Sequence, residues 1–444
     1  MGRLALCFLG LSLLAACGFS VDAEQARVCR TALPALNPGG RITVLRAEAG
    51  PGPRSVRIDY SVDMPNRRPL DRSILCQFAA DGLSPNKAEL TGILTERGPL
   101  PGANLYLLKR YYIETPEGVA GDPGGELRVD ASEIPFGLAY ALQQLLAALP
   151  RIGIYALLSV AYALVFGLTG RISLAFGELA AVGGAATVAG AAIALVALGV
   201  TSPFVGLGLG MAAALFAGAL FSAVGNTLAI TRITTRSSQP SLIATVGLSV
   251  ALMEFLRLAQ SPVTVWLPPL WSGAIPVARS GAFVVSLTPV SLLVAGIALV
   301  AASVLLWTMQ GTRFGRAWRA SADDARMAAI LGVDERRLAL TTFALAGAMA
   351  GLSGLLIVTQ YGGIGFAAGF QYGLKALIAA IIGGIGSIPG ALLGGVAVGL
   401  FETFWSAYLP IEGRDIALYG ALAVFLIFRP GGFLGLREST PRPV

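Results

Sequence analysis

Residues Leu179–Thr231 read LAAVGGAATVAGAAIALVALGVTSPFVGLGLGMAAALFAGALFSAVGNTLAIT, 53 positions without a charged side chain. A membrane-crossing helix needs about 20 mostly apolar residues, so the stretch holds two, broken at Thr201-Ser202-Pro203. Proline cannot continue a regular helix there. Working outward, Ile152–Gly170 supplies one span before it. Ser237–Ser261 supplies another after it despite Glu254 and Arg257, Ser280–Thr312 a further one, and Leu338–Leu374 a span with a loop. Ala376–Phe401 is a single apolar run interrupted by Gly383-Gly384-Ile385-Gly386-Ser387-Ile388-Pro389-Gly390, which favours a broken helix or tight hairpin. Ile416–Phe428 begins the last span. The expected fold is a polytopic α-helical membrane protein of about eight transmembrane helices plus a short broken or re-entrant segment.

Composition agrees. The chain is 55% hydrophobic and 13% charged, and its mean hydropathy is +0.72. The 56 glycines fall within apolar runs, where they suit close helix packing rather than disorder. With no histidine at all, the usual zinc sites, Ser-His-Asp and Cys-His catalysis and HExxH are excluded. Lys87, Lys109 and Lys375 are the three lysines, and none is followed by Ser or Thr, so no P-loop GxxxxGK[ST] exists here. No catalytic residue and no metal site is read from the chain, and no cofactor is expected on it.

Charge divides the chain. Residues 18–135 carry 15 acidic and 14 basic residues, and residues 136–444 carry 10 and 17. The basic residues of the second part sit singly or in short groups between apolar runs without interleaved aromatics, which fits positive-inside topology and not nucleic-acid binding. Arg232 and Arg236 lie in one loop, Arg313, Arg316, Arg319, Arg326, Arg336 and Arg337 in another, and Arg429, Arg437 and Arg442 in the tail. Placing these inside puts the start of the first span outside.

The N-terminus independently asks for export. Met1-Gly2-Arg3 is a short basic head, and Leu4–Ala16 is an uncharged run too short to span a bilayer. Leu14-Ala15-Ala16-Cys17 resembles the lipobox of bacterial lipoproteins, so Cys17 is a candidate for lipidation and residues 1–17 for a signal peptide. In the exported segment, Cys29 and Cys76 are an even pair and a candidate disulfide. Val56, Ile58, Tyr60 and Val62 alternate with polar residues, Ile74, Cys76 and Phe78 repeat that period, and Arg41–Ala47 and Ala88–Glu96 are weaker strands. Residues 18–114 therefore read as a small, mainly β periplasmic domain. Residues 115–135 read as a linker, 136–436 as the transmembrane domain and 437–444 as a cytoplasmic tail.

The segment Thr312–Leu338 is polar yet too regular for a slack loop. After the pair Asp323-Asp324, Met327, Ile330 and Leu331 follow helical spacing, and Gly332 stands where a helix stops. Val333-Asp334-Glu335 then opens the next helix with acidic residues at its positive end. A short rigid helix between two spans suits the transmission of a push.

This segment resembles the cytoplasmic coupling loop of ABC importer permeases, whose Ala-Ala followed by Gly is matched by Ala328, Ala329 and Gly332. More specifically, the chain is similar to the permeases of branched-chain amino acid importers in three blocks: FGLTGRISLAFGELAAVGG at Phe166–Gly184, Gly315–Gly351, and GFQYGLKALIAAIIGGIGSIPGALLGG at Gly369–Gly395. The resemblance covers residues 136–436 and leaves the exported domain as an addition. It implies a translocation path in this chain and two cytoplasmic ABC ATPase subunits that bind ATP and Mg. A periplasmic substrate-binding protein, and a second related permease or a second copy of this one, complete the assembly. All of it sits in the lipid of the bacterial inner membrane. Arg316, Asp323, Asp324, Ala328, Ala329 and Gly332 are then the ATPase-coupling candidates, and Ser173, Phe176, Gly177 and Glu178 the translocation-path candidates. Family members often carry Asn and His or Gln around the Gly-Glu pair where this chain has Ser173-Leu174-Ala175-Phe176. The substrate therefore stays open among branched-chain amino acids, related amino acids, urea and short amides.

Bland alternatives stand beside these. A carboxylate entering an apolar run is costly and usually has a partner or a wet cavity, but position alone equally allows Glu178 to lie at an interface near Arg171. Lys375, Glu254 and Glu402 read as side chains that snorkel to an interface, and residues 316–332 as a solvated basic loop. An ion-coupled carrier needs intramembrane carboxylates or histidines arranged as a relay, for which candidates are few. A membrane sensor needs an output domain, and none follows Arg437.

Overall fold

The computed structural model describes residues 21–434 apart from 38–39, 53, 65–68, 82–83, 85, 97, 116–117, 119–120, 124–131, 201, 226, 228–237, 261–264, 268–274 and 281–282. Cys17, Arg232, Arg236, Arg437 and Arg442, the signal segment and the C-terminal tail lie outside the described residues. The chain forms two compact units. One draws on Met1–Tyr140, Leu198–Val205 and Pro269–Val290, and the other on Ala141–Ala197, Gly206–Pro268 and Ser291–Val444.

In the first unit, helix α1 (Ala23–Thr31) starts at Asp22, whose side chain accepts from the backbone N–H groups of Glu24 and Gln25. Such a cap satisfies donors that the first helical turn leaves free. Strands β1 (Arg41–Ala49), β2 (Ser55–Asp63), β3 (Leu70–Phe78) and β4 (Leu90–Thr95) form an antiparallel meander, closed by the two-residue β5 (Gly98–Pro99). The four expected strands are all present. Val56, Ile58, Tyr60 and Val62 point to one buried face, as a period of two requires, and α1 covers the same core with Cys29 and Ala26. Cys29 and Cys76 are joined in a disulfide, with Cα atoms 6.0 Å apart. Helix α2 (Gly102–Leu108) adds Leu105 to this core. A small sheet of β6 (Ser132–Glu133), β8 (Ile275–Ser280) and β9 (Phe283–Leu287) belongs to the same unit, with β6 parallel to β8.

The helices that follow are α3 (Phe136–Thr169), α4 (Phe176–Ala192), α5 (Pro203–Gly225), α6 (Ser238–Gln260), α7 (Pro289–Gly311), α8 (Arg313–Asp323), α9 (Ala325–Ile330), α10 (Glu335–Tyr361), α11 (Ala368–Gly383), α12 (Ile388–Tyr408) and α13 (Arg414–Phe428). Among the described residues, seven are long and apolar enough to cross a membrane, counting α4 with its wider continuation to Ala197. The 16-residue α11 and 15-residue α13 are shorter. Seven long helices with two shorter ones match the expected polytopic α-helical architecture. The break expected near Gly383–Gly390 is the tight turn between α11 and α12, where Ser387 caps α12 by accepting from Gly390 N–H and glycine backbones face one another. No side chain fits there, because a Cβ on either Gly383 or Gly390 would fall on the other's carbonyl. The two-residue strands β7 (Val265–Trp266) and β10 (Gly363–Ile364) also pair within the second unit.

Candidate functional site: two facing half-helices and a surface-mounted coupling helix

The long helix α3 ends at Gly170, which has φ +63°, and five residues later α4 starts after Ala175. The long helix α10 ends at Gly362, φ +81°, and five residues later α11 starts after Ala367. Set side by side, Gly170-Arg171-Ile172-Ser173-Leu174-Ala175-Phe176-Gly177 and Gly362-Gly363-Ile364-Gly365-Phe366-Ala367-Ala368-Gly369 share Gly, Ile, Ala and Gly at four of eight positions. The left-handed backbone at Gly170 and Gly362 is one that L side chains rarely adopt, which accounts for glycine at both stops.

The two long helices run antiparallel. Gly153, midway along α3, lies beside Leu356, late in α10, whereas Leu164, late in α3, accepts a hydrogen bond from Trp318 on α8, ahead of α10. The units "long helix, glycine stop, half-helix" are therefore inverted copies, and their half-helix starts meet. A Cβ on Gly177 or Gly369 would collide with the other helix's backbone, the one on Gly369 lying 2.8 Å from Gly177 O and 2.9 Å from Glu178 Cα. Discontinuous helices in corresponding positions of inverted repeats, with their positive N-terminal ends brought together, are how many transporters build a solute site inside the bilayer.

Phe176, Gly177 and Glu178 sit at the start of α4, where it meets α11, and Ser173 lies in the link that leads into it. Ser173, Phe176, Gly177 and Glu178 are buried, and the Phe176 ring packs edge-on against Tyr162 with centroids 5.4 Å apart. Glu178 occupies the first turn of α4, is 1% exposed, and its Oε2 has no hydrogen-bond partner among the described residues. The interfacial alternative for Glu178 is thus not what the structure contains.

Two of the snorkelling readings need correction as well. Lys375 and Glu402 are buried and paired, Nζ to Oε1 at 2.8 Å, because α11 and α12 pack tightly enough to keep both from the surface. Glu254 does stay exposed, paired with Arg257 one turn on.

The coupling segment is two short helices rather than one. Thr312 caps α8 by accepting from Gly315 N–H. Asp324 ends α8 and caps α9, its Oδ1 accepting from Arg326 N–H at 2.9 Å and Met327 N–H at 3.0 Å. Gly332, φ +91°, stops α9, and Asp334 caps α10 in the same way. Arg316, Asp323, Asp324, Ala329 and Gly332 are outward-facing, but Ala328 is not: it is turned inward, 1% exposed. Sequence reasoning put Met327, Ile330 and Leu331 at helical spacing without naming them as the exposed surface, and it overlooked Trp318, the anchor. Met327, Ile330 and Leu331 are 59%, 78% and 81% exposed, forming an apolar patch where a solvated loop would carry polar groups. Trp318 is buried, donates its indole N–H to Leu164 O at 3.2 Å and fills the space left by Gly167. The helical spacing of the patch is plain in the sequence; which of its residues face outward depends on where Trp318 pins the segment.

Comparison with known proteins bears on this arrangement. Residues 144–428 match the family described as the permease component of the branched-chain amino acid transport system. The chain belongs to this family. It is 34% identical over 304 residues to the high-affinity branched-chain amino acid transport system permease protein LivH of Escherichia coli K12, covering 67% of this chain and 97% of that one. It is 32% identical over 306 residues to the BraD permease of Pseudomonas aeruginosa, named for the same kind of system, covering 67% and 96%. A shorter match, 29% over 161 residues, links it to LsrC, an autoinducer 2 import system permease protein of E. coli, over 35% of this chain and 45% of that protein. As a family member the chain is a multi-pass permease component. The matched residues include the half-helix crossing and the coupling segment.

Proposed function

We propose that this chain is the transmembrane permease subunit of an ABC importer and forms the path for branched-chain or related amino acids. Two separate cytoplasmic ATPase subunits, which bind ATP and Mg, drive it. A periplasmic binding protein delivers the solute, and the pore is completed by a related permease or a second copy. The β-rich unit lies in the periplasm, anchored further if Cys17 is acylated, and the C-terminus is cytoplasmic.

The observation that carries this reading is the α8–α9 segment: an exposed apolar patch at Met327, Ile330 and Leu331, held rigid by the Asp324 and Asp334 caps and by Trp318. An apolar patch on a capped helix suits a protein partner. Trp318 seats on the last turns of α3, and α3 leads through Gly170–Ala175 directly into the half-helix that carries Glu178. Movement of an ATPase against α9 thus has a short, stiff route to Phe176–Glu178, and ATP-driven closure opens the crossing to one side of the membrane and then the other.

The test is co-purification of the tagged full chain from its native membrane with an ATPase assay. Wild type retains ATPase activity, and Met327→Asp and Ile330→Asp lose it while the chain stays monodisperse. Absence of ATPase from wild type, or its retention in both variants, refutes the reading.

A further inference from the structure

A second polar site lies apart from the half-helix crossing. Arg151 of α3, Gln371 and Lys375 of α11, Glu402 of α12 and Arg414 of α13 face a cavity of about 180 Å³ in the second unit, together with three tyrosines. That is room for one small solute.

Most of its charge is already balanced. Lys375 Nζ lies 2.8 Å from Glu402 Oε1 and 3.0 Å from Asp415 Oδ1, and Arg414 Nε lies 3.3 Å from each of those oxygens. The Tyr155 hydroxyl donates to the other Glu402 oxygen. Two cations and two carboxylates thereby neutralise one another, and both Glu402 oxygens are engaged. Arg151 is the third cation against these two carboxylates, set beside Tyr361 and within the field of Glu402 but without a direct ion pair among the described residues. Its Nη1 donates to Thr403 Oγ1 at 3.2 Å, and among the described residues no carboxylate lies within ion-pair distance of it.

A half-buried guanidinium beside a neutralised network has a surplus positive charge and further N–H donors arranged as a fork. A carboxylate matches that fork with two parallel hydrogen bonds and removes the surplus charge. Urea and short amides offer a carbonyl oxygen but no charge, so they leave the cost of the buried cation unrelieved.

Resting on the importer reading, we propose that this cavity receives the carboxylate of the transported solute and that Arg151 recognises it. Transport then selects amino acids, or other small carboxylates, over urea and amides.

The experiment measures uptake of radiolabelled L-leucine and of radiolabelled urea in the native host, with the chromosomal copy deleted and then replaced by wild type, Arg151→Gln, Arg151→Lys or Gln371→Glu. Membrane abundance is quantified for each. Wild type restores leucine uptake, and unlabelled isoleucine competes with it whereas leucinamide does not. Arg151→Gln raises KM for leucine at least tenfold with a smaller change in maximal rate, and Arg151→Lys recovers part of it. Gln371 is exposed, so Gln371→Glu keeps the test open if Arg151→Gln fails to reach the membrane: a carboxylate placed in the cavity mouth raises KM for leucine by repulsion. Leucine uptake with wild-type KM in the variants that reach the membrane overturns the carboxylate site and leaves the importer reading standing. Restoration of urea uptake and not leucine uptake overturns the carboxylate site in the same way. If wild type restores neither, the importer reading falls and the site falls with it.

Discussion

Substituting Gly177 by alanine tests the crossing of the half-helices directly. The added Cβ would lie 2.8 Å from Gly373 Cα and on the carbonyl oxygen of Gly369, where ordinary contact begins at 3.4 Å. Both obstacles are backbone, so no side chain can swing aside, and α4 and α11 must part by about 1 Å. Overpacking of this kind costs about 1–3 kcal/mol, and the better helix propensity of alanine returns up to about 1 kcal/mol. The expected net loss is about 1–2 kcal/mol. Gly296 in α7 is the control, because a methyl group there would meet nothing within 4 Å: Gly296→Ala keeps the propensity gain without the collision. The assay is heating of the detergent-solubilised full chain followed by size-exclusion chromatography. Gly177→Ala lowers the midpoint, Gly296→Ala does not, and Gly177→Ala with Gly369→Ala costs less than the two singles combined, because one separation of the helices accommodates both methyls. Equal midpoints for Gly177→Ala and Gly296→Ala would refute the close crossing.

Three further outcomes are expected. Replacing Cys29 and Cys76 by serine removes a cross-link between residues 47 apart, worth about 4 kcal/mol in the chain-entropy picture; protease digestion of the β-rich unit should accelerate, and a chain as resistant as wild type would show that the sheet needs no bridge. Trp318→Ala deletes a buried indole and its hydrogen bond to Leu164, a loss of about 3–5 kcal/mol by analogy with other core truncations; ATP hydrolysis that continues without solute uptake is the expected readout, and uptake at the wild-type ratio to hydrolysis would contradict it. Lys375→Met should cost about 3 kcal/mol by stranding part of Glu402, while Lys375→Met with Glu402→Gln should cost less than the summed singles; strict additivity in the thermal midpoints would deny the ion pair.

What the sequence made legible was whatever local chemistry dictates. Gaps between charges locate helices because a bilayer excludes charge, and alternation at Val56–Val62 locates a strand because its side chains alternate between faces. Asp324, Gly332 and Asp334 mark their helix ends by supplying what unpaired backbone groups need. Helix α1 was not foreseen, since its Glu24, Arg27 and Arg30 look like solvated surface until Cys29 and Ala26 turn inward against the sheet. The half-helix starts were hidden for a different reason. Arg171 and Glu178 bracket a few uncharged residues and imitate a loop at a membrane surface, whereas packing between glycines carries Glu178 into the interior. No local rule pairs Lys375 with Glu402 or sets Arg151 against Thr403, because those relations arise from the docking of α3, α11, α12 and α13.

The inverted repeat explains why only one of the two half-helix starts carries an acid. Aligning Gly177 with Gly369 sets Glu178 opposite Phe370, so the copies share their backbone geometry and differ in the side chain that follows the contact. Backbone symmetry brings two positive helix ends together and makes the place hospitable to negative charge. Glu178, with an oxygen that has no hydrogen-bond partner among the described residues, supplies an acid from one copy alone, and the second copy has Phe370 at the equivalent position, its ring exposed and outside the buried crossing. A second carboxylate beside Glu178 would repel it across a crossing where glycine backbones touch, so a single acid is what this close approach accommodates.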